Sequence, residues 1–224
     1  MQLVFDSTSE ITKAAVSRFR SKLESGELSR VLLTGGTLGI QFLADLSKEE
    51  LDVSKVEFLF GDERFVSLDH PDRNEAQGLA AWPELGASLR RFPDDSTDLS
   101  SALDVMNSRL ENQLGSLSAV DPVFDLVILG MGPDGHIASL FPGHSHGKTW
   151  VVSEQDSPKP PKQRLSFSYE ALNRAREVWF LVSGKSKAEA VSCAMGEDCD
   201  LPVAKVQGME QTIWFMDQEL RREL

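Results

Sequence analysis

The chain has a deficit of basic residues and no long apolar segment. Its 23 lysines and arginines stand against 35 aspartates and glutamates, a formal net charge of −12, which disfavours a nucleic-acid or anionic-membrane surface. No apolar run approaches the roughly 20 residues of a membrane span. Residues 1–6 also lack the basic start and long apolar run of a signal peptide. We therefore expect a cytoplasmic protein that binds neither nucleic acid nor membrane.

Cysteine and histidine are scarce as well. Cys193 and Cys199 have no histidine or further cysteine beside them, so a zinc site is not expected and the pair is interpreted as reduced cytosolic thiols. His144 and His146 stand two residues apart, without a carboxylate or third ligand at metal-binding spacing. The sequence predicts no metal and no cofactor.

Short apolar runs alternate with amphipathic stretches along the whole chain. Helical spacing of apolar residues predicts helices over about 8–25 and 99–114. Buried strands are predicted at 31–33, 56–60, 124–129, 178–182 and 212–216. This alternation favours one α/β domain over 1–224, with a mostly parallel sheet of about five or six strands covered by helices on both faces.

The stretch Asp125–Gly143, DLVILGMGPDGHIASLFPG, carries the clearest chemical signal. An apolar strand leads directly into a glycine-rich turn, at the sheet edge where open α/β proteins place their ligands. His136 follows on that turn, and 137–140 is compatible with a short helix. The glycine spacing also matches a dinucleotide fingerprint, but Pro142 interrupts the chain before the helix that a pyrophosphate needs. His136 is thus a candidate catalytic residue, although spacing alone fits a structural or exposed histidine equally well.

Three further polar stretches could reach the same edge. Thr34–Thr37, between a strand and a helix, would present free backbone N–H groups to an anion, although plain βα turns have the same pattern. Asp62–Arg64 follows another buried strand, and a solvated charge cluster is the alternative there. Lys187 falls in the first turn of a predicted helix, where it opposes the helix dipole unless it serves an anion.

These stretches resemble one known family. Gly130–Gly143, GMGPDGHIASLFPG, is similar to the signature of the 6-phosphogluconolactonases, relatives of the glucosamine-6-phosphate deaminases. The same family order is matched by LTGGT at 33–37, GDER at 61–64, DHPDRN at 69–74, RLSF at 164–167 and GKSKAEA at 184–190. The chain departs from the pattern at Arg73, where serine is usual, and at Leu38-Gly39, where Thr-Pro is usual. We expect Arg73 to face water.

The resemblance implies a modified Rossmann-like fold shared with sugar-phosphate isomerases. It also implies hydrolysis of 6-phospho-D-glucono-1,5-lactone to 6-phosphogluconate in the oxidative pentose phosphate pathway. His136 would be the general base, and water the nucleophile, because no serine or cysteine sits in a G-x-S-x-G context. Arg64 would steady the developing negative oxygen, and Asp62 would orient either His136 or Arg64.

The expected partner is a small phosphosugar lactone, bound by a monomer or weak homo-oligomer. The predicted substrate-binding residues are Thr34, Gly35, Gly36, Thr37, Gly135, Arg164 and Lys187. In this scheme Thr34–Thr37 form the phosphate cradle, and the two cations supply charge.

Two other functions remain as alternatives. The first is an aldose–ketose isomerase or deaminase, which in the related enzymes has a catalytic glutamate where this chain has Phe141. Phenylalanine cannot hold the proton that such a reaction moves. The second is a non-catalytic sugar-phosphate sensor, which is disfavoured by the acidic composition and by the expectation that the domain begins at the first residue.

Overall fold

The computed structural model describes residues 1–224 and contains two β-sheets. The larger sheet has six parallel strands in the order β1-β9-β8-β5-β2-β3, and the smaller has three antiparallel strands in the order β4-β7-β6. The strands are β1 (Gln2–Phe5), β2 (Arg30–Leu33), β3 (Glu57–Phe60), β4 (Asp62–Arg64), β5 (Phe124–Leu129), β6 (Val151–Glu154), β7 (Arg164–Phe167), β8 (Ala175–Val182) and β9 (Gln211–Asp217). The predicted mostly parallel sheet is confirmed.

Seven α-helices complete the fold. They are α1 (Thr8–Glu24), α2 (Gly36–Leu46), α3 (Asn74–Ala81), α4 (Leu99–Leu114), α5 (Tyr169–Leu172), α6 (Ala188–Ala194) and α7 (Gln218–Arg221). The Ser7 hydroxyl caps α1 by accepting from the backbone N–H of Glu10, as the capping box predicts. None of these helices combines the length and apolarity needed to cross a membrane.

The main sheet is apolar on both faces because successive side chains of each strand point to opposite sides. Val31 and Leu33 of β2 pack in one hydrophobic cluster, with residues of α1 and α2. Leu32 packs in the other cluster, with residues of α4 and the smaller sheet. Central strands buried in this way read as unbroken apolar runs, which is why the sequence identifies them.

The strand order reverses between β2 and β5. The chain passes from β2 outward to β3, whereas β5 lies on the other side of β2 and is followed by β8 and β9. The loops that leave β2 and β5 therefore diverge and open a crevice at the carboxyl ends of the strands. The Gly130 N–H donates to the Thr34 hydroxyl over 3.1 Å and ties the two loops together.

The smaller sheet places two distant charged segments side by side. Strand β4 pairs with β7 in antiparallel register, so Asp62 lies opposite Ser166 and Arg64 opposite Arg164. Strand β7 alternates polar and apolar side chains, and all four of its residues are buried. The buried polar side chains belong to the crevice and its supporting network.

Three local expectations are wrong. Cys193 and Cys199 form a disulfide rather than remaining reduced thiols, because the turn after α6 brings their Cα atoms to 5.3 Å. The sequence does not reveal that distance. Residues 137–140 form a tight turn closed by a bridge between Ile137 and Leu140 rather than a helical piece. Arg73 is fully buried rather than exposed, because protein acceptors surround its guanidinium.

Candidate active site

A cleft of about 500 Å³ opens at the point where the strand order reverses. Its walls come from the loops after β2, β5 and β8, from β4 and β7, and from the loop between β6 and β7. The predicted site residues that line it are Thr34, Gly35, Gly36, Thr37, Asp62, Arg64, His136, Arg164 and Lys187. Gly135 is not among the lining residues. Its carbonyl accepts from the Val203 N–H over 3.1 Å, which anchors the histidine loop from behind.

The β5 loop holds His136 against a carboxylate. Nδ1 of His136 lies 2.6 Å from Oδ1 of Asp134, which also accepts from the His136 backbone N–H at 3.3 Å. A Cβ at Gly132 would come within 2.2 Å of Nδ1, so glycine is required for the imidazole to occupy this place. The short motif Pro-Asp-Gly-His thus positions both members of the pair.

The carboxylate fixes which imidazole nitrogen is free to accept a proton. Burial alone would raise the pKa of Asp134, but the charge of His136 and its hydrogen bonds outweigh burial and hold that pKa below its ordinary value. An ionised carboxylate can only accept a hydrogen bond, so Nδ1 carries a proton. In the neutral imidazole Nε2 is then left unprotonated. Sequence reasoning missed Asp134, although an aspartate two residues before the histidine in a tight turn was a readable signal.

The β2 loop and α2 form the opposite wall. Helix α2 begins at Gly36, and its first-turn N–H groups have no partner within the helix. Gly35 lies so close to Asn74 that a Cβ would come within 2.0 Å of Oδ1. The hydroxyl of Thr34 accepts from the Gly130 N–H of the β5 loop. This wall therefore presents backbone donors at a helix N-terminus, which is a favourable anion site.

Asn74 links Asp62 to Arg64. The Asn74 side-chain amide donates to Oδ1 of Asp62 at 3.2 Å, and its carbonyl oxygen accepts from Nη1 of Arg64 at 2.9 Å. The second carboxylate oxygen of Asp62 accepts from the hydroxyl of Ser139. Of the two roles that the sequence leaves open for Asp62, the structure shows the connection to Arg64, whereas His136 pairs with Asp134.

The chain matches the family model described as glucosamine-6-phosphate isomerases/6-phosphogluconolactonase over residues 6–214. It belongs to this family. A 6-phosphogluconolactonase of Mycobacterium leprae is 35% identical over 96% of this chain and 95% of its own length. One from Streptomyces coelicolor is 32% identical over 100% of this chain and 94% of its own.

Solved structures show the same fold. The 6-phosphogluconolactonase of Thermotoga maritima matches with a TM-score of 0.85 and 26% identity, covering 97% of this chain and 99% of that one. A monomeric glucosamine-6-phosphate deaminase matches with a TM-score of 0.80 and 18% identity, covering 100% and 99%. The same fold therefore occurs in a named 6-phosphogluconolactonase and in a named deaminase, so the fold alone does not distinguish the two activities.

Phe141 is the side chain that bears most directly on that distinction. Its ring is buried and lies 4.7 Å from the His136 ring, centroid to centroid. The guanidinium carbon of Arg164 lies 5.9 Å from the centroid of the same ring. An apolar ring at this place supports the imidazole by packing and cannot carry a proton between carbon atoms.

Arg164 directs most of its donors to the protein. Nε donates to the Pro161 carbonyl at 3.1 Å, Nη2 to the Lys159 carbonyl at 2.8 Å, and Nη1 to the Ser139 hydroxyl at 3.5 Å. Burial lowers its pKa from the ordinary value. Arg164 therefore contributes charge to the cleft while also holding the loop that precedes β7.

Lys187 lies at the entrance to α6, at the end of a short 3₁₀ turn over Lys185–Lys187. Burial lowers its pKa, the charge of Asp217 opposes this, and the charge of Lys159 adds to it. No carboxylate forms an ion pair with Lys187 in the structure. A partly desolvated ammonium group without a protein counterion is suited to an anionic ligand.

A buried charged cluster supports the wall formed by β4. Glu63 accepts from the backbone N–H groups of Arg64, Asn74 and Glu75. Burial and the neighbouring charge of Glu75 raise the pKa of Glu63 to about 7. The Glu63 carboxylate is thus buried and committed to the backbone rather than exposed to the cleft.

Arg73 neutralises part of this cluster. Its Nη2 donates to Glu75 at 2.9 Å and to the Phe92 carbonyl at 3.1 Å, and its Nη1 donates to the Val66 carbonyl at 2.9 Å. The guanidinium thus occupies a buried socket lined by acceptors. The expectation of a solvent-facing side chain fails for that reason.

Proposed function

We propose that this protein hydrolyses 6-phospho-D-glucono-1,5-lactone to 6-phosphogluconate, with His136 as the general base. The observation that carries the proposal is the Asp134–His136 pair in a cleft whose other wall offers a helix N-terminus and Lys187. The similarity to named 6-phosphogluconolactonases supports the same reaction.

In this proposal the phosphate lies against the N-terminus of α2. Backbone N–H groups of Gly36 and Thr37 donate to its oxygens, and the Lys187 ammonium supplies opposing charge. A dianionic group also explains why positive charge collects in one cleft of a chain with net charge −12. The phosphate then fixes the lactone ring toward the β5 loop.

The imidazole of His136 accepts a proton through Nε2 from a water molecule as that water attacks the lactone carbonyl carbon. The carbonyl oxygen becomes an oxyanion, which the Arg64 guanidinium stabilises in this proposal. The hydrogen bond from Arg64 to Asn74 supports this role by holding the guanidinium at the cleft. When the tetrahedral intermediate collapses, the ring oxygen leaves as an alcohol and takes the proton from the imidazolium. Asp134 stabilises the imidazolium between these two steps.

The alternative reaction, deamination or isomerisation of a sugar phosphate, needs a group that carries a proton between carbon atoms. Phe141 packs where the sequence resemblance places that group, and its ring contacts His136. We therefore favour hydrolysis over proton shuttling.

The two reactions can be separated with the purified protein. Incubation with glucosamine 6-phosphate should release no ammonia, whereas the phosphorylated lactone should be consumed with release of protons. Ammonia release at a catalytic rate, without lactone consumption, would overturn the proposal.

A further inference from the structure

Lys159 lines the cleft from a loop that lies outside the motifs matched in the sequence. The loop joins β6 to β7, and both Lys159 and Pro160 contribute to the cleft wall. Both lysines are exposed, but Lys162, on the same loop, lies outside the cleft and pairs with Asp156. The two lysines therefore have different surroundings although they are only three positions apart.

The backbone at Lys159 is held from two directions. Nη2 of Arg164 donates to the Lys159 carbonyl at 2.8 Å. The Ser157 hydroxyl, which is almost fully buried, donates to the same carbonyl at 3.0 Å and accepts from the Lys159 N–H at 3.4 Å. These contacts fix the point from which the side chain extends.

The ammonium group of Lys159 has no protein counterion. It forms no ion pair with a carboxylate, and its charge contributes to lowering the pKa of Lys187. Two like charges at one end of a cleft repel one another, and a bound dianion would relieve that repulsion. Neither Asp62 nor Asp134 pairs with Lys159, because these carboxylates are engaged with Asn74, Ser139 and His136.

We propose that Lys159 is a phosphate-binding residue that completes a cationic clamp with Lys187, while Arg164 positions the loop that carries it. This inference rests on the proposed function for the location of the phosphate at the α2 end of the cleft. Lys159 then supplies part of the positive charge that the family resemblance assigns to Arg164 and Lys187.

The test compares Lys159→Met with Lys162→Met, which removes a charge of the same sign from the same loop outside the cleft. Binding of inorganic phosphate and of 6-phosphogluconate is measured by calorimetry at low ionic strength. Lys159→Met should weaken both affinities about fivefold, which corresponds to ~1 kcal/mol for one exposed ion pair. Lys159→Arg should restore them, and Lys162→Met should leave them unchanged.

The inference is overturned if Lys159→Met binds phosphate as the native protein does, if Lys162→Met loses as much affinity, or if the native protein binds no phosphate. Failure of the proposed function gives a different result. If the protein does not hydrolyse the lactone but the clamp exists, phosphate affinity would still depend on Lys159 while no lactone is consumed.

Discussion

Replacing Asp134 by asparagine should lower kcat for the phosphorylated lactone about ten- to hundredfold, with little change in KM. The carboxylate accepts from Nδ1 of His136 at 2.6 Å and so leaves Nε2 unprotonated for its proposed role as the base. An asparagine amide can either donate or accept, and therefore no longer selects that tautomer or stabilises the imidazolium. Loss of a charge-assisted hydrogen bond costs about 1.5–3 kcal/mol, which sets the expected range.

A double-mutant cycle shows whether Asp134 acts through His136. His136→Asn should lower kcat by about 10²–10⁴-fold, the usual contribution of a general base. The Asp134→Asn change should add almost nothing in that background, because residues that act as a unit are not additive. If the two losses multiply instead, Asp134 does not work through the imidazole and the reasoning is refuted.

Asp94→Asn provides the matched control. Asp94 also accepts from the backbone N–H two residues ahead, that of Ser96, at 3.3 Å, the same distance as in the Asp134 turn. It lies outside the cleft. Thermal unfolding should shift similarly in both variants, whereas only Asp134→Asn should lower kcat. Equal losses of activity would indicate a structural effect.

Three further outcomes follow from the charges and links in the fold. Lys187→Ala should weaken binding of the phosphorylated product about ten- to hundredfold and leave binding of unphosphorylated gluconate unchanged by calorimetry; equal losses would remove Lys187 from the phosphate site. Because the pKa of Glu63 is raised to about 7 in the folded protein, the folded state holds that proton more tightly. The free energy of unfolding should therefore fall by up to about 3 kcal/mol as pH rises from 4.5 to 7. Denaturant titrations at a series of pH values should show a weaker dependence of this free energy on pH in Glu75→Gln, and an unchanged dependence would contradict the coupling between Glu63 and Glu75. Reducing the disulfide, whose cysteines are 6 positions apart, should lower the free energy of unfolding by about 2 kcal/mol, and an unaltered unfolding midpoint would show that the link does not stabilise the fold.

Five strands of the main sheet were predictable because they are largely buried and read as apolar runs, whereas β1 at the sheet edge, which is only partly buried, was not predicted. The smaller sheet was not predicted as a unit. Strand β4 has only three residues, all of them charged, and its burial comes from pairing with β7 about a hundred positions later. Hydrophobic periodicity contains no information about such a pairing.

Site residues on glycine loops were predictable from their motifs, but their partners were not. The sequence placed His136 and Asp62 at the same sheet edge, and both do line the cleft. Their hydrogen bonds depend on loop conformation, so the pairing of His136 with Asp134 and of Asp62 with Ser139 emerged only from the structure. The prediction for Arg73 failed for a similar reason, because two of its acceptors are backbone carbonyl groups brought to it by the fold.

The most direct test of the central claim is the rate of loss of 6-phospho-D-glucono-1,5-lactone with the native protein and with His136→Asn at equal concentration. The native protein should accelerate lactone loss well above the spontaneous rate. The variant should be slower than the native protein by about 10²–10⁴-fold. No acceleration by the native protein, or equal acceleration by both, would contradict the assignment of lactone hydrolysis to this site.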